Sequence, residues 1–310
     1  GNDLLFDSSL CDQGKSFSNK IWNSFRLVKG WKVVKKNQPT HCSIAIEWYN
    51  QKFNSVLSEI NDHFNKFRIS DALMAVYKLI WDDFCSVFLE IVKPDYGESI
   101  DSKTFEQIVS IFEKNLIIIH PFMPFISEEI WHLIEKRSKE NAIIIAEWPS
   151  STNSNDNDLI QDFESLLKVI SGIRNFRKKY QVSFKDSLEL SIVNNDNFSA
   201  DYDSIISKLC NISSIHYSDS EIEQSISFRV NSNIYSIPFH EELDVNEEII
   251  KINNDLNYQK GFLKSVESKL NNKRFVENAP DSVIKNEQKK KDDALSKIRV
   301  LEERLSNLSN

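Results

Sequence analysis

Residues 247–270 read EEIIKINNDLNYQKGFLKSVESKL, and apolar side chains recur there at alternating steps of three and four residues. The same spacing returns over residues 284–308, beyond a break at the NAPD sequence of residues 278–281. Two heptad helices joined by a short break predict an antiparallel coiled-coil hairpin over residues 246–310. Each arm, of about 24 residues, would extend roughly 35 Å. The predicted seam sets Ile249, Ile252, Leu256, Leu263, Val266 and Leu270 against Ile284, Ala294, Ile298, Leu301, Leu305 and Leu308.

The preceding residues, 151–245, differ in their pattern of apolar residues and predict a small α+β domain. The domain follows a polar linker, SSTNSNDN at residues 150–157, and opens with a helix from about Asp158 to Tyr180. Alternating or β-branched residues then predict short strands, and Asn231-Ser232-Asn233 predicts a hairpin turn between the last two. The predicted strands are 188–193, 212–217, 226–230 and 234–239, with a short helix near 204–209.

Residues 1–150 predict a helical bundle. Between Ser70 and Lys93 apolar residues recur every three to four positions, which places them on one helix face, and Pro94 should end that helix. Similar stripes predict further helices around Phe17–Val28, Ile44–Phe64, Phe105–Ile119 and Ser127–Lys136. Five helices can bury one shared core, so the whole chain is expected to be mainly α.

The bulk composition excludes some classes of protein and leaves others open. No run reaches the roughly 18 apolar residues of a membrane span. The four cysteines are scattered, which favours reduced thiols in a cytoplasmic protein. The net charge of −8 argues against nucleic acid as a partner if taken alone, but local patches decide such binding. Three stretches are locally basic: residues 29–36, 174–185 and 285–299.

The sequence offers no catalytic pattern. Its six glycines are isolated, so no phosphate-binding loop is present, and no Ser or Cys lies in a nucleophile elbow. The six histidines form no metal-ligand spacing. We therefore predict no catalytic residue, metal site or cofactor in this chain. In contrast, Arg174, Arg177 and Lys178 lie at i, i+3 and i+4, on one face of a helix, which is the arrangement that nucleic-acid phosphates require. The alternative for these three residues is a solvated helix face.

The order of these segments, together with particular residues, resembles the C-terminal part of valyl-tRNA synthetases. The opening GND and FD at residues 1–7, NKIWN at 19–23, WDDFC at 81–85 and HPFMPFISEEIW at 120–131 resemble their anticodon-binding bundle. Related enzymes for isoleucine and leucine share the last two motifs but lack a C-terminal arm. The residues that match the arm are Leu270, Asn272, Phe275, Val276, Ala279, Pro280, Val283, Ile284 and Glu287.

The resemblance also implies roles for individual residues. Arg26 and Trp48 align with an arginine and an aromatic residue that lie near the anticodon in that family. For Trp48 the alternative is a core tryptophan, because it also fits the apolar stripe of its helix. For Arg26 the alternative is a surface ion pair. On the arm, the resemblance favours phosphate contacts near the tip by Lys273, Arg274, Lys285 and Lys289.

The resemblance further implies a valine–tRNA ligase as parent protein, a cytoplasmic and monomeric enzyme that uses ATP and Mg²⁺ and binds valine tRNA. The ATP-site signatures and the editing domain of such enzymes are absent from this sequence, so this chain would position tRNA for a catalytic domain elsewhere. The main alternative is a helical and coiled-coil scaffold for protein interactions, which the acidic net charge favours. A stand-alone enzyme is the least favoured reading.

Overall fold

The computed structural model describes residues 8–138, 140–150, 157–193, 198–238, 241–272 and 281–308, without the side chains of 157, 241–251, 281–282, 300, 303–304 and 306–308. The chain divides into two compact units. The first takes in the described residues up to 222 together with 227–237, and the second takes in 223–226 and the described residues from 238 onward. The predicted bundle and most of the predicted α+β domain thus share the first unit.

The first unit begins with a helical bundle, as the periodicity predicts. Its helices are α1 (Ser8–Lys29), α2 (Thr40–Asn65), α3 (Ile69–Lys78), a π-helix (Leu79–Phe88), α4 (Leu89–Val92), α5 (Ser102–Ile119) and α6 (Pro124–Ile134), followed by a 3₁₀ turn (Ile143–Ile145). Pro94 follows α4 as predicted, whereas α3 begins at Ile69, one residue before the predicted start at Ser70. The Ser86 hydroxyl donates to the Trp81 carbonyl five residues earlier, in keeping with the π-helical pitch.

The bundle core forms where the apolar faces of these helices meet. Helix α2 buries Cys42, Ala45, Ile46, Trp48, Tyr49, Phe53, Leu57 and Ile60. Tyr49 is fully buried, and its hydroxyl donates to Asn115 Oδ1 of α5 at 2.9 Å, so its polar atom is satisfied inside the core. Asp101 caps α5 by accepting a hydrogen bond from the Thr104 amide at 2.8 Å. Pro124 occupies the first turn of α6, where its missing N–H costs nothing.

The α+β segment consists of helix α7 packed on a four-stranded sheet. Two very short parallel strands, β1 (Val33–Val34) and β2 (Ile100–Asp101), belong to the bundle instead. The segment contains α7 (Asn157–Lys179), β3 (Leu188–Val193), α8 (Asp203–Cys210), β4 (Ile212–Tyr217), β5 (Ser225–Val230) and β6 (Asn233–Pro238). The strand order is β4-β3-β6-β5, with β3 parallel to β4 and antiparallel to β6.

The strand predictions are confirmed closely. β3 and β4 have the predicted bounds, while β5 and β6 begin one residue earlier than predicted. Phe239, the last residue of the fourth predicted strand, lies outside the described residues. Asn231 adopts a positive φ of 53° at the predicted hairpin turn, a conformation that asparagine tolerates better than most residues.

Gly172 allows α7 to approach the sheet closely. A Cβ atom at this position would lie 2.3 Å from Cε2 of Phe228 on β5, far inside van der Waals contact. The helix buries a continuous apolar face on its inner side: Phe163, Leu166, Val169, Ile170, Ile173 and Phe176.

The second unit is the predicted antiparallel hairpin of α9 (Glu241–Leu270) and α10 (Asp281–Leu308). Three interhelical ion pairs fix the antiparallel direction: Lys260–Glu302 at 2.7 Å, Glu267–Lys291 at 2.9 Å and Lys269–Glu287 at 3.7 Å. Of the predicted seam, Ile252, Leu256, Val266, Ala294 and Ile298 are buried, and Leu263, Leu270, Ile284, Leu301 and Leu305 are half-buried. The side chains of Ile249 and Leu308 are not among those described.

Candidate nucleic-acid interface

A basic loop at the C-terminal end of α1 is held in place by neighbouring backbone. Its sequence, KGWKVVKK at residues 29–36, places lysines around the half-buried ring of Trp31. The loop pairs through β1 with β2, and the Ile100 amide donates to the Lys32 carbonyl at 2.9 Å. Lys36 Nζ donates to the Ser99 carbonyl at 2.6 Å. These contacts leave the exposed Lys32 and Lys35 side chains on an ordered loop.

Arg26 lies one turn before this loop and is exposed. Cations in the last turn of α1 are favourable there, because the helix C-terminus carries partial negative charge. The placement is compatible with an RNA contact, and the assignment of Arg26 to the anticodon remains a prediction.

Tyr96 is an exposed aromatic residue that the sequence reasoning missed. It sits in the turn between α4 and β2, where the Glu98 amide donates to the Asp95 carbonyl at 2.9 Å and Gly97 adopts a φ of +83°. Its side chain is 107% exposed relative to a reference residue, so it packs against none of the residues that the structure describes. The sequence could have indicated Tyr96, because this aromatic residue lies within a polar Pro-Asp-Tyr-Gly turn and not in an apolar stripe that would bury it.

Beside this turn lies a cleft of about 450 Å³ that we call the Tyr96–Phe184 cleft. The bundle contributes Glu90, Lys93, Pro94, Asp95 and Tyr96, and the α+β segment contributes Arg174, Phe184, Lys208 and Leu209. Phe184 is 57% exposed, and Arg174 is exposed. The cleft therefore combines two accessible rings with three cations.

Lys208 ties α8 to the bundle at the floor of this region. Its Nζ donates to the Lys93 carbonyl at 2.6 Å and lies 3.5 Å from His41 Nε2. Burial lowers the pKa of Lys208, and burial together with the nearby Lys208 charge lowers the pKa of His41. Lys93 forms an ion pair with Glu90 at 2.6 Å.

The prediction that Trp48 contacts an anticodon is wrong. Trp48 is only 2% exposed, and its ring stacks on Phe163 of α7 with centroids 4.1 Å apart and planes 10° apart. It also packs edge-on against Tyr49 at 6.0 Å. No face of the ring is free for a base, because the apolar stripe of α2 is covered by α7.

The prediction that Arg177 binds phosphate is also wrong, whereas Arg174 and Lys178 stay exposed on the same helix. Arg177 is 6% exposed and donates to four backbone carbonyls: Ser183 at 2.6 Å, Asp186 at 2.9 Å, Cys210 at 2.9 Å and Asn211 at 3.3 Å. The guanidinium therefore fastens the loop after α7 to the end of α8. Its donors point inward and are unavailable to RNA.

On the hairpin, Lys285 and Lys289 are exposed, and neither forms an ion pair with any residue that the structure describes. Neighbouring Lys290 and Lys291 differ, because they pair with Glu287 at 2.6 Å and with Glu267 at 2.9 Å. Lys273 and Arg274, predicted at the tip, lie outside the described residues. Their phosphate contacts remain predictions.

The described residues offer neither a metal-ion site nor a membrane-spanning helix. No group of three or more His, Cys, Asp or Glu side chains there could hold a metal ion. Among the described helices, none combines the length and the apolar character that a membrane crossing requires.

Comparison with known proteins agrees with this arrangement. Residues 47–192 match the anticodon-binding domain of tRNA ligases, and residues 244–309 match the valyl-tRNA synthetase tRNA-binding arm. The chain is 51% identical over 310 residues to a valine–tRNA ligase of Christiangramia forsetii, covering 100% of this chain and 35% of that protein. A valine–tRNA ligase of Phocaeicola vulgatus is 44% identical, covering 99% of this chain and 35% of that protein.

A more distant valine–tRNA ligase, from Enterococcus faecalis, is 29% identical over 323 residues and matches 99% of this chain. The chain spans about a third of the length of these curated relatives, with 35–36% of each covered. The match of residues 244–309 to the tRNA-binding arm favours the valine enzymes over the related isoleucine and leucine enzymes, which lack this arm. Since the anticodon-binding domain and the arm occur together here, the chain belongs to the valyl-tRNA synthetase family.

Proposed function

We propose that this chain binds valine tRNA and holds it for aminoacylation by a catalytic domain of the parent protein. The observation that carries the proposal is the ordered basic loop of residues 29–36, which presents the exposed Lys32 and Lys35 together with the half-buried ring of Trp31. Unpaired anticodon bases stack on aromatic rings, and lysines bind the phosphates between them. The exposed Lys285 and Lys289 supply further phosphate contacts on the hairpin.

The parent protein is, on this proposal, a cytoplasmic and monomeric valine–tRNA ligase that uses ATP and Mg²⁺. The sequence has no phosphate-binding loop, and on this proposal both ligands bind to the part of the parent protein outside this chain. Purified alone, the chain should not support valine-dependent pyrophosphate exchange. Exchange by this chain would contradict the proposal.

Binding is tested by fluorescence anisotropy with labelled valine tRNA at several salt concentrations. Each phosphate contact contributes about 0.7–0.9 to the slope of log K against log salt, so several contacts should give a steep loss. Replacing Lys285 and Lys289 together by Gln should reduce that slope by about 1–2. The matched control replaces Lys260, an exposed arm lysine already engaged with Glu302, by Gln.

A second candidate is a scaffold for protein interactions, which the net charge of −8 favours. A scaffold would show no saturable tRNA binding, even at low salt. It would instead lose self-association or partner capture when the hairpin is deleted. The titration and a sedimentation measurement on the same samples separate the two functions.

A further inference from the structure

We propose that the Tyr96–Phe184 cleft binds an unpaired nucleotide of a bound RNA, with its base against Tyr96 and Phe184 and its phosphate against Arg174 and Lys208. The inference rests on the proposed function, because it names a site for the same RNA. It adds a contact surface formed jointly by the bundle and the α+β segment, apart from the basic loop and the hairpin.

The dimensions of the cleft suit one nucleotide. Its volume of about 450 Å³ falls within the range of roughly 300–1,000 Å³ found for small-molecule sites. One wall is the turn that carries Tyr96, and the opposite wall comes from α7, α8 and the loop after α7. Each wall thus supplies one aromatic ring.

The two rings are exposed in a way that packing does not explain. Tyr96 is 107% exposed and Phe184 is 57% exposed, although burial of an aromatic ring would stabilise the fold. The Arg177 guanidinium lies 5.7 Å from the Phe184 ring centroid and helps to fix that ring. A fixed ring that remains accessible is the element on which a base can stack.

The charges favour an anion in the cleft. Lys93 Nζ forms an ion pair with Glu90 Oε2 at 2.6 Å. Of the remaining charged groups that line the cleft, Arg174 and Lys208 are cations and Asp95 is the single carboxylate. Arg174 makes no ion pair or side-chain hydrogen bond with the part of the chain that the structure describes. Lys208 uses one of its three N–H groups on the Lys93 carbonyl and has no carboxylate within ion-pair distance among the described residues.

Lys208 is half-buried beside this cleft. Burial lowers the pKa of its ammonium group, although the Asp95 and Glu90 carboxylates act in the opposite direction. A phosphate placed between Lys208 and Arg174 would offset that cost. Bidentate binding by the Arg174 guanidinium would also fix the orientation of the phosphate.

An unpaired nucleotide fits these groups better than duplex RNA does. In an A-form helix the base faces are stacked on one another, and the deep major groove keeps side chains from the bases. Stacking on Tyr96 or Phe184 therefore requires a base that is free of the helix. A phosphorylated peptide would also satisfy the cations but would leave two rings without stacking partners.

The test compares four variants of the whole chain for binding to valine tRNA. Tyr96→Ala should weaken binding by about 5- to 100-fold without changing the salt slope, since stacking carries no charge. Tyr96→Phe should bind like the unmodified chain. Arg174→Gln should lower the salt slope by about one, whereas Lys168→Gln, an exposed lysine elsewhere on α7, should leave it unchanged.

Ultraviolet crosslinking followed by mass spectrometry supplies a direct readout, with crosslinks expected at Tyr96 or Phe184. A single-stranded RNA should compete for the crosslink, whereas a blunt RNA duplex, inorganic phosphate or a phosphorylated peptide should not compete at comparable concentration. Wild-type binding by both Tyr96→Ala and Arg174→Gln would overturn the cleft while leaving tRNA binding by the chain intact. Failure of the unmodified chain to bind tRNA would instead overturn both proposals.

Discussion

Replacement of Trp48 by Ala should destabilise the first unit rather than remove an RNA contact. The indole is 2% exposed and lies between the core of the bundle and Phe163 of α7, with ring centroids 4.1 Å apart. Truncation of a fully buried Trp costs about 3–5 kcal/mol, because transfer free energy is lost and a cavity remains. This one change would therefore remove a large share of a typical domain stability of about 5–15 kcal/mol.

The measurement is urea unfolding followed by circular dichroism, in parallel with tRNA anisotropy under conditions where the variant stays folded. Phe163→Ala and the double variant complete a mutant cycle. The stacked pair should show a coupling free energy of about 0.5–1.5 kcal/mol. Tyr96→Ala serves as the matched control, since removal of a fully exposed ring should leave the unfolding midpoint unchanged.

A core position for Trp48 would be contradicted if Trp48→Ala kept the unfolding midpoint of the unmodified chain and weakened tRNA binding about tenfold. That result would require the ring to leave the core when RNA binds. An unchanged affinity in the folded fraction, together with a lower midpoint, is the outcome that the stacked geometry implies.

Three further substitutions test the first unit. Arg177→Met should cost about 2–4 kcal/mol, measured by urea unfolding, because four backbone carbonyls lose a charged donor, while Lys178→Met on the exposed face should cost almost nothing. Gly172→Ala should lower the unfolding temperature, because the added Cβ would lie 2.3 Å from the ring of Phe228. Burial raises the pKa of Asp83 from 3.8 to about 6, so the folded state binds more protons than the unfolded state between those values and stability falls as pH rises through that window. Asp83→Asn should remove this dependence and stabilise the chain at pH 7 by up to about 3 kcal/mol, read from unfolding curves at pH 4 and 7.

Periodicity predicted the elements well because burial acts on local spacing. β3 and β4 have the bounds that alternation gave, and the hairpin seam buries Ile252, Val266 and Ile298 as the heptad required. For these strands and helices, the spacing of apolar residues shows which face of the element is apolar. The element then forms when any neighbouring element of the fold covers that face.

Periodicity could not predict which surface lies opposite a side chain. Trp48 and Phe163 are 115 positions apart in sequence, and the stripe of α2 shows only that Trp48 points away from solvent. Arg177 shares a helix with two exposed cations, but its partners include the carbonyls of Cys210 and Asn211, more than thirty residues away. A spacing rule assigns all three cations to one face, and only tertiary contacts distinguish them.

The acidic net charge is compatible with RNA binding because charge is distributed unevenly over the described surface. On the hairpin, Glu267, Glu287 and Glu302 pair with lysines, which leaves Lys285 and Lys289 as cations without such partners among the described residues. In the cleft, Glu90 is occupied by Lys93 in the same way. A phosphate therefore meets the cations that lack partners, and the average of −8 says little about the field it experiences there. Each exposed ion pair contributes only about 0–1 kcal/mol to stability. The main effect of these pairs is therefore to determine which lysines are already neutralised and which remain available to a phosphate.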